Sequence, residues 1–153
     1  MPAEHSAQLE EHALRGGKRD LDSAHPQLCT SNPEVVQLVV ARIRKALDED
    51  PKLTGVYWSP EDGPGFCECP SCQALDTGET YTPNRPPLSV ADPLSGTSMT
   101  NRVFTFANAL AEELEKTHPD KQVIVLAYCY YVQPPRTLKL HKNVCVWYTV
   151  SCI

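Results

Sequence analysis

Two adjacent carboxylates, Glu61 and Asp62, follow an apolar, strand-forming run that ends at Trp58. A Gly-Pro-Gly turn comes next, and three cysteines with the spacing C-x-C-x2-C close the stretch. Polar residues at the end of a strand, followed by a loop, are the usual layout of a site at the carboxyl edge of a parallel sheet. We therefore expect residues 54–72 to carry the functional site and the rest of the chain to position it.

The carboxylate pair is suited to acid–base chemistry on a glycosidic bond. Hydrolysis needs one carboxylic acid to protonate the leaving oxygen and a second group to stabilise or attack the oxocarbenium-like centre. On an N-acetylated sugar the acetamido group can be the internal nucleophile, and the second carboxylate then orients it. We predict Glu61, with the longer side chain, as the general acid and Asp62 as its partner. The alternatives are a solvated loop acid for Glu61 and a turn cap for Asp62.

Aromatic side chains in or after the strands can stack on sugar rings and hydrogen-bond to hydroxyls. Trp58 ends one strand, and Tyr130 and Tyr131 leave the sheet after a later one. We predict that these three residues contact the substrate. For Tyr128 and Trp147, core packing is the favoured interpretation.

The cysteine loop permits three interpretations. Zinc takes four ligands, so Cys67, Cys69 and Cys72 would need a fourth, either Asp76 or a cysteine from elsewhere such as Cys29. A disulfide with one thiol left over would suit an exported protein. A redox dithiol is the third, because the last two cysteines of the loop form C-P-x-C, but the helical stretch that follows is too short. A structural metal ion or a disulfide staple is favoured over thiol catalysis.

Composition narrows the classes of partner and cofactor. The net charge of −5 over 153 residues argues against nucleic acid or an anionic membrane as the main partner. No apolar run is long enough to span a membrane, and the polar N-terminus lacks the pattern of a signal peptide. No cofactor is required for the predicted catalysis. Four of the seven cysteines lie in apolar runs and are predicted to be buried small hydrophobes: Cys29, Cys129, Cys145 and Cys152.

Strands and helices alternate along the chain. After a short extended segment at 25–30, Asn32-Pro33 predicts a helix start, and apolar residues from Val35 to Leu47 fall on one helical face. A second helix is predicted from Thr100, as its cap, to His118, with Arg102 and Asn108 contacting loops. Further strands are predicted at 54–58, 122–130 and 143–150, the run at 122–130 being covered on both faces.

This order predicts an α/β fold with parallel strands and crossover helices. A complete (β/α)8 barrel needs roughly 250 residues, so we predict a partial barrel in residues 25–153, after a polar N-terminal arm in residues 1–24. The arm is expected to be an exposed helix or frayed. In the long connection 59–98, the proline-rich second half, residues 77–98, is expected to be an irregular but ordered flap. The rest of the barrel is a predicted partner.

Four blocks in order resemble one known family: QLCTSNPEV, SPEDGPGFCECPSCQALD, SGTSMTNRVFTFANALAEELEKTHPD and VIVLAYCYYVQPP. They resemble the domain-of-unknown-function family 4838, which lies among glycoside-hydrolase-like TIM barrels and is linked to glycoside hydrolase family 163. The resemblance covers residues 25–150, and its most specific part is the S-P-x-D-G…F-C-x-C-x2-C string.

The resemblance implies a (β/α)8 barrel. For active members it implies endo-β-N-acetylglucosaminidase action on N-glycans, by large secreted or surface bacterial proteins. If this chain is an enzyme, we therefore expect a glycoside hydrolase acting on N-acetylglucosamine-containing glycans. The alternative is a non-catalytic carbohydrate-binding or interaction domain with a metal- or disulfide-stapled cysteine loop.

Overall fold

The computed structural model describes residues 11–81 and 96–149. At its centre is a parallel sheet of three strands, β3 (Gly55–Tyr57), β6 (Gln122–Ala127) and β7 (Val144–Tyr148), in the order β3–β6–β7. The parallel pairing is as the sequence predicts. Tyr57 lies opposite Ile124, and Ile124 lies opposite Cys145. Parallel pairing brings the carboxyl ends of all three strands to one edge of the sheet.

Helix α1 (Pro33–Glu49) connects the N-terminal region to β3 and begins as its sequence predicts. The Asn32 side chain accepts a hydrogen bond of 2.9 Å from the backbone N–H of Glu34, and Pro33 occupies the first turn, where it costs no hydrogen bond. The helix ends before Pro51, because the residue that precedes a proline avoids the helical conformation.

Helix α3 (Thr100–Glu115) begins differently from the prediction. The residue before the helix, Met99, makes no side-chain cap, and Thr100 lies inside the first turn. The Thr100 side chain is buried, and its hydroxyl donates to the carbonyl of Gln133 at 3.1 Å. The prediction of Thr100 as the cap is wrong because this hydroxyl bonds to a distant loop rather than to the helix.

The hydrophobic core lies between the two long helices and one face of the sheet. The ring of Trp58 packs against that of Phe106 with 4.6 Å between centroids. The core is formed by apolar residues of α1, α3 and β6, which include Val35, Val40, Ile43, Leu47, Phe104, Phe106, Leu110, Leu114, Val123 and Val125.

The opposite face of the sheet lacks a covering helix in the part of the chain that the structure describes. Along β6, Val123, Val125 and Ala127 are buried, whereas Ile124 and Leu126 are only half-buried. The prediction that this strand is covered on both faces is therefore wrong for the described residues, where the helices pack on one side.

Two aromatic residues are exposed on the face of the sheet that no described helix covers. Trp147 is 57% exposed, so the expectation that it packs in the core is wrong. Tyr57 is 50% exposed on the same face of the sheet. Tyr128, in contrast, is half-buried and packs against the core.

In the described part of the N-terminal region, residues 14–19 fold as a β-hairpin, so the expectation of an exposed helix or a frayed arm is wrong there. Strand β1 (Leu14–Arg15) pairs antiparallel with β2 (Lys18–Arg19). The intervening Gly16 and Gly17 have φ of 53° and 79°, a conformation that glycine adopts at little cost. The division of the chain at residue 24 stays a prediction.

The segment 25–30 does not join the parallel sheet as a strand. Leu28 makes an isolated antiparallel bridge with His12 instead. Among the described residues, the outer edge of β3 therefore has no strand beside it.

The connection from 59 to 98 contains a short helix and a small antiparallel pair. Helix α2 (Pro70–Gln73) follows the cysteine loop, and β4 (Thr80–Tyr81) pairs with β5 (Gly96–Thr97). Most of the predicted flap, the start of the N-terminal arm and Cys152 lie outside the described residues. No helix in the described part of the chain combines the length and the apolar character needed to cross a membrane.

Candidate metal centre

Two of the loop cysteines are brought together by the start of α2. Cys69 is the residue that precedes the helix, and its sulfur accepts a hydrogen bond of 3.4 Å from the backbone N–H of Cys72. Pro70 fills the first helical position. The C-P-S-C sequence therefore forms a single helical turn with both sulfurs on the same side.

The third loop cysteine is held by the N-terminal hairpin. The backbone N–H of Leu14 donates to the sulfur of Cys67 at 3.2 Å. The carbonyl of Leu14 accepts from the backbone N–H of Glu68 at 2.7 Å, and the Glu68 carboxylate accepts from Gly16 N–H at 2.7 Å. The hairpin thus binds the loop through main-chain and side-chain contacts.

The fourth cysteine, Cys29, comes from the segment just before α1. Its backbone N–H donates to the carbonyl of Glu11 at 2.8 Å, and Ala13 N–H donates to the carbonyl of Gln27 at 2.8 Å. These bonds align the segment with the residues that lead into the hairpin. Cys29 therefore faces the loop from the other side.

Together, Cys29, Cys67, Cys69 and Cys72 form a cysteine tetrad whose four sulfurs all lie within 4.8 Å of one another. The sulfur of Cys29 lies 3.7 Å from that of Cys69 and 3.9 Å from that of Cys72. A tetrahedral zinc site with Zn–S bonds of about 2.3 Å has sulfurs about 3.8 Å apart. The tetrad therefore has the donor atoms and the spacing to bind a metal ion such as zinc.

The predicted burial of the individual cysteines is confirmed for Cys29 and wrong for two others. Cys29 is buried, as predicted, but it belongs to the tetrad and does not act merely as a small hydrophobe. Cys129 and Cys145 are only half-buried, so their predicted full burial is wrong. No disulfide occurs in the described residues, and all four tetrad cysteines are free thiols there.

The tetrad stabilises a thiolate at Cys29, next to a sulfur that keeps its proton. Hydrogen bonds from Cys67 and Cys72 lower the pKa of Cys29 to about 3. The pKa of Cys67 is raised, because its hydrogen bonds to Cys29 and Cys72 favour the protonated thiol and because it is buried. Burial alone would raise the pKa of Cys69, but hydrogen bonds from Ser31 and from Cys72 N–H leave it lowered. The lowered pKa values of Cys29 and Cys69 favour the thiolate form that a metal ion requires, whereas Cys67 would have to lose its proton on binding.

Asp76 is not a ligand candidate in this geometry, although it was one of the two expected sources of the fourth ligand. It accepts two hydrogen bonds of 2.5 Å from Arg102, at Nε and Nη2. Arg102 also donates to the carbonyl of Cys67 at 2.5 Å. The prediction that Arg102 contacts loops is confirmed, and Asn108 likewise donates to the carbonyl of Lys139 at 2.9 Å.

The predicted acidic residues lie at the carboxyl end of β3. The Glu61 side chain is exposed and lies 3.8 Å from the imidazole of His25. The backbone carbonyl of Glu61 accepts a hydrogen bond of 2.6 Å from Gln27 Nε2. Asp62 is exposed beside it. Burial raises the pKa of Tyr131, and the charge of Asp62 contributes to this increase. Glu61, Asp62 and the Cys129–Tyr131 turn therefore share the carboxyl edge of the sheet.

A cavity of about 380 Å³ lies beside β3 and below α1. Trp58 and Glu61 contribute to its lining, whereas Asp62, Tyr130 and Tyr131 do not. Phe66 lines it and makes edge contacts with the rings of Tyr130 and Tyr131. The structure thus brings two of the five predicted acid and aromatic residues into one cavity. The others lie at the same edge. Their catalytic and substrate-binding roles stay predictions.

Sequence reasoning missed three features of this region. The hairpin that holds Cys67, the hydroxyl of Ser31 between Cys69 and Cys72, and the identity of Asp76 and the Cys67 carbonyl as the loop partners of Arg102 were not predicted. Ser31 lies 3.1 Å from the sulfur of Cys72 and 3.5 Å from that of Cys69. The sequence signals for the tetrad were the C-x-C-x2-C spacing of the loop and the presence of a fourth cysteine before α1.

One comparison with known proteins gives a match. The model of a family described as "Domain of unknown function (DUF4838)" matches residues 2–150. No curated protein and no solved structure matches the chain. The match extends over nearly the whole chain and includes all four cysteines and both acids. The chain therefore belongs to the DUF4838 family.

Proposed function

We propose that the cysteine tetrad binds one Zn²⁺ ion and that this ion has a structural role. The observation that supports this most strongly is the spacing of the four sulfurs, which all lie within 4.8 Å of one another. Soft thiolate ligands in a tetrahedral arrangement select zinc or an iron–sulfur centre over hard cations. Four protein ligands fill the coordination shell and leave no position for a reactive water molecule.

The proposed ion replaces a hydrophobic core that this part of the chain lacks. Around the tetrad, Ala13 is the only fully buried aliphatic residue among the described ones. Three separate segments meet there: the hairpin, the turn before α1, and the loop that ends in α2. A metal ion bound to the four cysteines would join the last two of these segments, on which the hairpin packs, and contribute its binding free energy to folding.

Metal content and a matched pair of variants test this proposal. We expect one zinc per chain in the purified protein and a large loss of zinc in Cys29→Ser. Cys145→Ser should keep its zinc, because Cys145 lies in β7 outside the tetrad. Iron in place of zinc, equal loss in both variants, or disulfide-bonded tetrad cysteines in the native protein would contradict the proposal.

We propose as a second function that the chain is a glycoside-hydrolase-like domain acting on N-acetylglucosamine-containing glycans. The observation in favour is that Glu61 lines a cavity of about 380 Å³ at the carboxyl end of a parallel strand. Ligand sites of α/β proteins occur at this edge, and their volumes are about 300–1,000 Å³. Trp58 and Tyr57 supply aromatic surface in the same lining.

In this proposal Glu61 protonates the glycosidic oxygen and Asp62 orients the acetamido group, which attacks the anomeric carbon. This scheme is the substrate-assisted exception to the two-carboxylate mechanism. The exposed position of the Glu61 side chain leaves it accessible to a polymeric substrate. Tyr130 and Tyr131 would contact the glycan farther along the same edge. If turnover is absent, the alternative is a carbohydrate-binding or interaction domain.

Hydrolysis of an N-glycan by matched variants tests the second proposal. Glu61→Gln should abolish turnover while folding is unchanged, because the amide cannot donate the proton. Glu112→Gln is the control, since Glu112 is an exposed acid on α3, remote from the cavity lining. Hydrolysis retained in Glu61→Gln would refute its role, and glycan binding without turnover in the unmodified chain would identify the non-catalytic alternative.

We also propose that further strand–helix units of a barrel pack against this domain. The support is the free outer edge of β3 and the exposed aromatic residues on the uncovered sheet face, both among the described residues. Parallel sheets are normally covered on both faces. In a Trp58→Phe background, acrylamide should quench Trp147 fluorescence strongly in this chain and weakly in a longer chain. Equal quenching in both would contradict this partner.

A further inference from the structure

Among the Asp, Glu, Lys and Arg residues that the structure describes, only Arg102 is buried, with 5% exposure. It lies in the first turn of α3, so its backbone is fixed by the core helix. Burying a guanidinium is costly unless charges and hydrogen bonds compensate it. The groups around Arg102 therefore indicate its role.

The guanidinium is held in one orientation by three short hydrogen bonds. Two of them form a fork with the carboxylate of Asp76, and the third goes to the carbonyl of Cys67, each at 2.5 Å. Cys67 belongs to the tetrad, and Asp76 follows Cys72 by four residues. Only arginine offers this planar set of donors. The positive charge is thereby fixed directly behind the cysteine loop.

A zinc ion bound to four thiolates has a net charge of −2, because four negative sulfurs outweigh the two charges of the ion. Three of the four cysteines are buried, so water screens this charge poorly. Burial lowers the pKa of Arg102, but the bond to Asp76 and the charges of Asp76, Cys72 and Cys67 outweigh that effect and raise it. Because the attraction acts on both partners, the charge of Arg102 stabilises the thiolates in turn.

We propose that Arg102 is a positioning residue for the metal centre, the counter-cation that allows the tetrad to bind zinc as a complete tetrathiolate. Asp76 keeps the guanidinium in place. This inference rests on the proposed zinc site. It adds a determinant of metal affinity that lies on a core helix, outside the cysteine loop.

The test is the zinc affinity of the full chain, measured by chelator competition, in matched variants. Arg102→Gln removes the charge, and Arg102→Lys keeps it on a side chain of similar reach. Loss of an outer-shell partner lowers metal affinity about 10–100-fold. We expect a loss of that order for Arg102→Gln and a clearly smaller one for Arg102→Lys. Arg44→Gln is the control, since Arg44 bonds to Thr117 and Glu113 and makes no contact with the tetrad.

A second background separates charge compensation from a purely structural role. Cys69→His replaces one thiolate by a neutral ligand and reduces the net charge of the site to −1. The Arg102→Gln loss should then shrink, whereas a structural role predicts the same loss in both backgrounds. Co²⁺ absorption in each variant reports whether four or three sulfurs remain bound.

The outcomes are distinguishable. If the unmodified chain binds no zinc, the proposed function fails and this inference fails with it. If zinc binds but Arg102→Gln matches the unmodified affinity, or Arg102→Lys loses as much as Arg102→Gln, only the role of Arg102 is overturned. A charge-dependent loss that shrinks in the Cys69→His background supports it.

Discussion

The sulfur of Cys29 lies 3.7 Å from the sulfur of Cys69, although the two residues are 40 positions apart in sequence. This contact joins the turn before α1 to the turn that begins α2. It converts a loop with three cysteines into a site with four. Two residues before Cys29, Gln27 Nε2 donates to the backbone carbonyl of Glu61 at 2.6 Å, so the segment that supplies Cys29 also contacts the loop that carries Glu61 and Asp62.

The first prediction concerns zinc and stability. The proposed zinc ion joins the turn before α1 to the cysteine loop only in the folded chain, so the free energy of unfolding should increase with free zinc. At free zinc about 100 times the Kd, the increase is about 2.7 kcal/mol. Denaturant unfolding at buffered zinc concentrations measures it. Cys72→Ser should show no such dependence, and an unmodified chain with the same stability at all zinc concentrations would contradict the structural role.

The second prediction concerns protons released on zinc binding. Metal binding requires each cysteine to be deprotonated. The pKa of Cys29 is lowered to about 3, so this thiol is already ionised at pH 7. Of the four cysteines in the tetrad, at most three therefore still have a proton to release when zinc binds. Zinc affinity should therefore fall as the pH is lowered, because protons compete with zinc for the remaining thiols. Zinc titration in a pH-indicator solution counts the protons, and release of four would contradict the ionised state of Cys29.

The third prediction concerns the close pairing of β3 with β6. A Cβ atom at Gly55 would lie 2.5 Å from the carbonyl oxygen of Gln122, which is backbone and cannot move aside alone. Gly55→Ala should therefore destabilise the chain by about 1–3 kcal/mol, the usual cost of overpacking. Gly96→Ala is the matched control, because a Cβ atom there would meet no described atom within 4 Å. Equal stability of the two variants in denaturant unfolding would argue against this register.

The fourth prediction concerns the core contact between Trp58 and Phe106, whose ring centroids are 4.6 Å apart. Phe106→Ala should cost about 3–5 kcal/mol of unfolding free energy, as large-to-small core substitutions do. The fluorescence of Trp58 should also shift to longer wavelength, measured in a Trp147→Phe background. Val146→Ala is the control, since Val146 is exposed in β7. A Phe106→Ala variant as stable as this control would contradict the packing.

Local sequence signals predicted the elements well where one or two residues determine the geometry. Asn32 and Pro33 specify the start of α1, and the apolar period of that helix specifies its buried face. The apolar run at 122–130 predicted a strand, but such a run does not distinguish a strand covered on one face from one covered on both. That is why the exposure of the neighbouring Trp147 was not foreseen.

The site was predictable only in part, because its assembly depends on contacts between distant segments. The C-x-C-x2-C spacing indicated a metal or a staple, and Cys29 was one of two sources considered for the fourth ligand. Asp76 had the right chemistry as a ligand but pairs with Arg102 instead. Nothing in the sequence near Leu14 indicated that its backbone N–H would donate to the sulfur of Cys67.

X-ray absorption at the zinc edge of the purified chain would decide whether the cysteine tetrad is a zinc site. The tetrad predicts one zinc per chain with four sulfur neighbours at about 2.3 Å and no oxygen or nitrogen neighbour. The zinc that remains in Cys29→Ser should have three sulfur neighbours. A chain without zinc, or zinc bound mainly by oxygen and nitrogen, would contradict the assignment.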